Sequence, residues 1–282
     1  MPTDLIYDIN YHGDDPPSEK FSKHVYLHNE NLTAFPEDGE IKFLLADLKE
    51  GDQVLDLGAN IGLHAINFCN AVGENGTVIA FEPMKKNYDI LLSNIEKHKA
   101  QDVIVPVNVA LGASNKEIQF DINTANMGDC RSSEALNKDK LIDNKTFEHE
   151  TVSQITLDSY FDINLYSGVE WEKVRLIKMD TQGCEIDILK GASKLFKRGY
   201  TGSIFLEFSP YMLNNNNQDI EWFYKFIIDN MFSVFNCPID QPWGRSFKST
   251  PTDLSKIKKL YKDQIHNDDT YQNLLLQKFM PC

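Results

Sequence analysis

No apolar run in this chain approaches the ~18 residues that a helix needs to cross a bilayer. Its first residues, MPTDLIYDINYHGDDPP, have neither the basic start nor the apolar centre of a secretory leader. A soluble, cytoplasmic protein with no membrane partner is expected. Cysteine is sparse: Cys69, Cys130, Cys184, Cys237 and Cys282 form no CxxC pair and no ligand spacing. That excludes a disulfide framework and a structural zinc site as readings of the sequence. Positive charge is also short. Lys plus Arg number 28 against 42 Asp plus Glu, a formal charge of −14 that repels a phosphate-rich partner, so nucleic acid is not the favoured substrate. The densest basic group, Lys256, Lys258, Lys259 and Lys262, reads as a solvated helix face. The histidines follow no motif. His28 stands out because the N-terminal segment could cover a site, and His64 because it follows a glycine turn.

With 41% apolar and 25% charged residues, the chain has the balance of a folded globular protein. Residues 1–40, with Pro16, Pro17 and Pro36 among aromatics, read as an arm or lid, and 41–282 as one domain. Short apolar runs follow one another: QVLDLG, TVIAFEP, VIVPVN, RLIKMD, SIFLEF, then a strand near 231–237 and a last run, YQNLLLQKF. Between them lie helical spacings, as in Tyr88, Leu91, Leu92 and Ile95 or Ile186, Leu189, Ala192 and Leu195. Alternating strands and helices predict an α/β fold with a mostly parallel seven-stranded sheet covered on both faces. The two late strands suggest an antiparallel hairpin at one edge. The polar stretch 123–150 is too long for an ordinary connection and reads as an insertion or as a loop closing over a site.

Ligands of such sheets sit beyond the carboxyl ends of the strands, where DLGANIG places Asp56, Gly58, Ala59, Asn60 and Gly62. A dinucleotide fingerprint GxGxxG needs glycine where this chain has Asn60. An aspartate before the glycines repels a pyrophosphate but suits a ligand bearing an ammonium and a sulfonium. That favours S-adenosylmethionine over NAD. Glu82, at the end of the second run, stands 20 residues after Gly62, where an acid can accept hydrogen bonds from ribose hydroxyls.

With those residues read, the chain resembles the FkbM family of methyltransferases from about Val54 to Phe208. VLDLGANIGLHAINF and FEPMKKNYDILLSNI are similar to the family's first two motifs. NVALG, TLDSYF and IKMDTQGCEIDILKGA are similar to three more in the same order. The resemblance implies a class I Rossmann-like methyltransferase fold and S-adenosylmethionine as donor. It further implies O-methylation of a hydroxyl, in relatives often on a sugar or polyketide. It carries Asp56, Gly58, Asn60 and Gly62 to the methionine end of the cofactor, Glu82 with Pro83 to the ribose, and Asn108, Ala110 and Leu111 to the adenine region. Gln182 departs from the pattern, standing where the family commonly has Glu.

A sugar hydroxyl is a weak nucleophile, so the site must hold it and take its proton. Asp180 and Glu207 end two neighbouring apolar runs and are the expected acceptor-binding and proton-removing groups, with Asp180 also bordering the cofactor. Lys178, two residues before Asp180, is expected to pair with one of these acids. Glu185 opens the next helix, where a capping role and a catalytic one are both open. Asp180 and Glu207 could hold Mg²⁺, but with no clear third carboxylate a metal is not expected. The expected acceptor is a sugar, a glycan or another polyhydroxylated molecule. The alternatives are an RNA 2′-O-methyltransferase and an NAD-dependent oxidoreductase.

Overall fold

A computed structural model of the chain describes residue Ile6 and residues 38–123, 131–132, 147–163, 170–237, 249–267 and 271–278. The arm expected over 1–40, including His28, lies outside these residues except for Ile6 and 38–40. Cys69, Cys184 and Cys237 are free thiols. Among the described residues, no helix is long and apolar enough to cross a membrane.

The strands of the main sheet are β1 (Gln53–Leu57), β2 (Thr77–Phe81), β3 (Ile104–Val107), β8 (Val174–Met179), β9 (Ser203–Phe208), β10 (Ser233–Cys237), β11 (Thr250–Thr252) and β12 (Gln272–Gln277). They lie in the order β11-β10-β12-β9-β8-β1-β2-β3. The β3-β2-β1-β8-β9 block is parallel, and β12 inserts antiparallel between β9 and β10. The parallel strands are apolar on both faces because both are covered. Leu55, Leu57, Ile79, Phe81, Ile177 and Met179 fill one side, and Val54, Val78, Ala80, Leu176 and Phe205 the other. Each of these side chains except Ala80 contributes about 1.5–3 kcal/mol by leaving water.

Among the described residues this sheet has eight strands where seven were expected. The extra one, β11, is a three-residue edge strand, TPT, with Pro251 opposite Phe235. No apolar alternation announces it, and proline is tolerated there because an edge strand can leave one side of its ladder unpaired.

A second sheet was not expected. Its strands are β4 (Ala110–Leu111), β5 (Lys116–Asn123), β6 (Arg131–Ser132) and β7 (Phe147–Ile155), in the order β4-β7-β5-β6. β5 and β7 pair antiparallel from Lys116 opposite Gln154 to Asn123 opposite Phe147, so the ends of the polar 123–150 stretch are strand. The rest of that stretch, apart from Arg131–Ser132, lies outside the described residues. Period-2 alternation sets the packing of β5. Ile118 and Phe120 point inward with Val152, Ala110 and Met84.

Candidate active site

The turn after β1 is made by backbone conformations that side chains rarely tolerate. Gly58, Asn60 and Gly62 have φ of 84°, 50° and 96°. A Cβ on Gly58 would lie 1.9 Å from the Asp180 carbonyl oxygen, and one on Gly62 2.6 Å from Leu91 Cδ1. Gly58 and Ala59 donate their N–H groups to the Phe81 carbonyl at 3.0 and 2.9 Å, which ties the turn to the end of β2. Only a chain without a β-carbon at 58 can bring β1, β2 and β8 this close.

These strand ends open into a cavity of about 700 Å³, counted with the solvent at its mouth. Of the expected cofactor residues, Gly58, Asn60, Glu82, Pro83, Ala110, Leu111 and Asp180 line it. Asp56, Ala59, Gly62 and Asn108 do not. Asn108 instead donates through Nδ2 to the Glu82 and Pro83 carbonyls at 2.8 and 3.0 Å, bracing the lining from outside. Ile118, Phe120 and Gln154 of the second sheet also line it, and sequence reasoning missed them. The signal was present as the alternation in KEIQFDIN.

Glu82 is nearly buried. Its Oε2 accepts from the Asn60 N–H at 2.9 Å, and its Oε1 accepts from the Met84 N–H at 2.9 Å and from Asn87 Nδ2 at 3.5 Å. Burial raises its pKa from 4.5 to about 7 against the pull of these donors.

The other acids gather around Lys178. The sequence pairs Lys178 with Asp180 or Glu207, and the structure adds an ion pair with Asp56, Nζ to Oδ1 at 3.4 Å. Asp180 Oδ2 is farther, at 3.8 Å. The reason is register: Asp56 on β1 lies directly beside Lys178 on β8. Side-chain exposure separates the three, at 0% for Asp56, 3% for Lys178 and 43% for Asp180. Asp180 alone of the three faces the cavity. Burial raises the pKa of Asp56, opposed by Lys178 and by His64.

Glu207 has a pKa pushed well above its ordinary value. Burial is the main cause, with Asp180, Glu185 and Glu40 adding to it and Lys178 opposing. Glu185 Oε1 accepts from the Thr181 N–H (3.0 Å), Thr181 Oγ1 (2.9 Å) and the Gly183 N–H (3.3 Å), so it holds the turn that follows β8. Its Oε2 is buried without a hydrogen bond, and burial raises its pKa to about 7. Gln182, in that turn at φ 53°, donates to Asp180 Oδ1 at 3.0 Å, and its carbonyl accepts from Asn216 Nδ2 at 2.9 Å. An amide at 182 therefore orients Asp180 without adding a like charge beside it. Among the described residues, no group of three or more His, Cys, Asp or Glu side chains is placed to hold a metal.

Residues 56–234 match the Methyltransferase FkbM domain. Hexuronic acid methyltransferase AglP of Haloferax volcanii is 27% identical over 155 residues, covering 55% of this chain. The chain spans about half of that relative, 56% of its length. Among solved structures, a putative rRNA-methylase from Clostridium thermocellum is 12% identical with a TM-score of 0.46, covering 88% of this chain and 97% of that one. An O-methyltransferase from Bacillus cereus in complex with SAH is 14% identical with a TM-score of 0.45, covering 86% and 81%. The domain match extends over more than half of the chain and takes in both the glycine turn and the acids around Lys178. This chain belongs to the FkbM family of S-adenosylmethionine-dependent methyltransferases.

Proposed function

We propose that this protein transfers the methyl group of S-adenosylmethionine to a hydroxyl of a sugar, glycan or other polyhydroxylated molecule. The carrying observation is one cavity bounded by the Gly58–Asn60 turn, the buried Glu82 and the accessible Asp180. The donor set fits the cofactor. Val109, Ala110, Leu111, Ile118 and Phe120 give an apolar wall for an adenine ring, Glu82 offers a carboxylate for a ribose diol, and the acids around Asp180 favour an ammonium and a sulfonium.

When bound, S-adenosylmethionine supplies a methyl carbon on a sulfonium that leaves as a neutral thioether. Asp180, 3.8 Å from Lys178 and oriented by Gln182, accepts the hydroxyl proton as the new oxygen–carbon bond forms. Glu207 lies behind the cavity lining, and its burial and acidic neighbours favour its protonated form, from which a hydrogen bond could be donated toward the acceptor. Lys178 and Glu185 act through others: the first holds Asp56, the Gly58 carbonyl (3.4 Å) and Asp180, and the second holds the 181–183 turn. AglP is named for a hexuronic acid, which supports a sugar as the acceptor class.

The test is transfer from labelled donor to panels of sugars, polyketides and RNA, with and without chelator. Label on a carbohydrate hydroxyl, unchanged by chelation, is the expected result. Label on RNA alone, or none on any panel member, overturns the acceptor assignment.

A further inference from the structure

The inward-facing row of the second sheet does not end in an apolar residue. Ile118, Phe120 and Val152 are buried along it. Two residues beyond Val152, on the same face of β7, comes Gln154, half-buried and lining the cavity. Gln154 is paired in register with Ala110 of β4, so it belongs to the same part of the cavity as the wall formed by Val109, Ala110 and Leu111.

Two contacts fix its carboxamide. Gln154 Nε2 donates to the Ser114 carbonyl at 2.8 Å. A carbonyl can only accept, so this bond decides which end of the amide is nitrogen and which is oxygen. The amide also lies against Gly112, where a Cβ would stand 2.5 Å from Gln154 Cδ, 2.6 Å from Nε2 and 2.7 Å from Oε1. These near-equal distances put the flat of the amide over the glycine, and any side chain at 112 would push it away. Oε1, at the other end, accepts no hydrogen bond from the described residues. The cavity wall therefore carries one neutral acceptor whose direction is held by its own chain.

We propose that Gln154 is a specificity-determining residue whose Oε1 accepts from the exocyclic amino group of the donor's adenine. This rests on the cavity being the S-adenosylmethionine site, with the base against the Val109–Leu111 wall. Apolar side chains hold any purine by its faces, and a polar group of fixed direction is needed to tell one edge from another. Adenine presents an amino donor at N6. Hypoxanthine presents a carbonyl oxygen at the same position, which would meet Oε1 as acceptor against acceptor.

The experiment is calorimetric binding of S-adenosylhomocysteine and S-inosylhomocysteine, whose bases differ at that position, to wild type, Gln154→Leu and Gln154→Glu. Wild type should prefer the adenosyl ligand by at least about tenfold. Gln154→Leu occupies similar volume without polar atoms and should lower that preference about three- to tenfold, the worth of one hydrogen bond. Gln154→Glu keeps an acceptor oxygen but has no N–H for Ser114, and it should hold the wild-type preference even if both affinities weaken. A residue that only braced the 112–114 turn would weaken both ligands equally in both variants. A preference unchanged in Gln154→Leu, one lowered as much in Gln154→Glu as in Gln154→Leu, or none in wild type overturns the role of Gln154 and leaves the cofactor site standing. A wild-type protein that binds neither ligand overturns both.

Discussion

The two sides of the crevice are built by different means. On the side proposed for the cofactor, three positive-φ residues in five and a carbonyl 1.9 Å from a missing Cβ shape the wall, so the backbone sets its form. On the side proposed for the acceptor, side chains from separate segments do it: Lys178, Asp180, Glu185, Glu207 and Glu40 bear on one another's charge, with Asp56 buried behind Lys178. A backbone-built wall fails by steric exclusion when a single atom is added. A charge-built wall fails when the number of charges changes at constant shape. The two sides can therefore be broken separately.

The largest effect is expected from Asp180→Asn, which keeps the shape and removes the proton acceptor. Methyl transfer should fall by about 10²–10⁴, with S-adenosylhomocysteine affinity within a few fold of wild type. Full turnover on every acceptor would end the catalytic assignment. Next comes Lys178→Met, which leaves Asp56 buried with no amine at 3.4 Å. Breaking a buried pair by removing one partner costs about 3–5 kcal/mol, and restoring neutrality with Asp56→Asn in the same chain should recover part of it. Denaturant unfolding of the two single variants and the double measures this. A single-variant loss under 1 kcal/mol would mean that the pair is not the anchor described. Gly58→Ala tests the other side. Left-handed backbone with a Cβ costs about 1–2 kcal/mol, and the clash with the Asp180 carbonyl adds to it. Product affinity should drop at least tenfold, and a variant that binds normally would show that the turn is shaped by something other than backbone.

The same contrast explains what the sequence disclosed. Glycine turns write themselves locally, so DLGANIG and the distant Glu82 pointed to the strand ends that line the cavity, and apolar runs between helical spacings located β1, β2, β3, β8 and β9. Register is not local. Nothing in RLIKMD says that Lys178 will lie beside Asp56 as well as near Asp180, because that follows from the alignment of β1 on β8. Glu40 is invisible for a related reason, since its partners His64 and Asn273 stand 24 and 233 residues away. The second sheet was missed differently. The alternation of Ile118 and Phe120 is legible, but the partner strand β7 lies beyond the polar stretch that begins at 123, so the pairing is not local.

The smallest expected effect sharpens the comparison most, because Glu82 belongs to both kinds of wall: a charge held by backbone N–H groups. Its pKa is raised from 4.5 to about 7, so between those values the ligand-free folded protein holds a proton that the unfolded chain has lost. The contribution of this group to stability therefore grows as pH falls through that window and is smallest above pH 7. In the proposed site ribose hydroxyls donate to the ionised carboxylate, so ligand binding there should expel the proton. At pH 6, S-adenosylhomocysteine should bind with release of up to about one proton, and its affinity should rise up to about tenfold per pH unit before levelling above pH 7. Glu82→Gln should weaken binding about tenfold at pH 8 and flatten the profile. Calorimetry in buffers of different ionisation enthalpy counts the proton directly. Binding at pH 6 without proton release would place the ribose away from Glu82 and leave only the glycine turn to define the cofactor side.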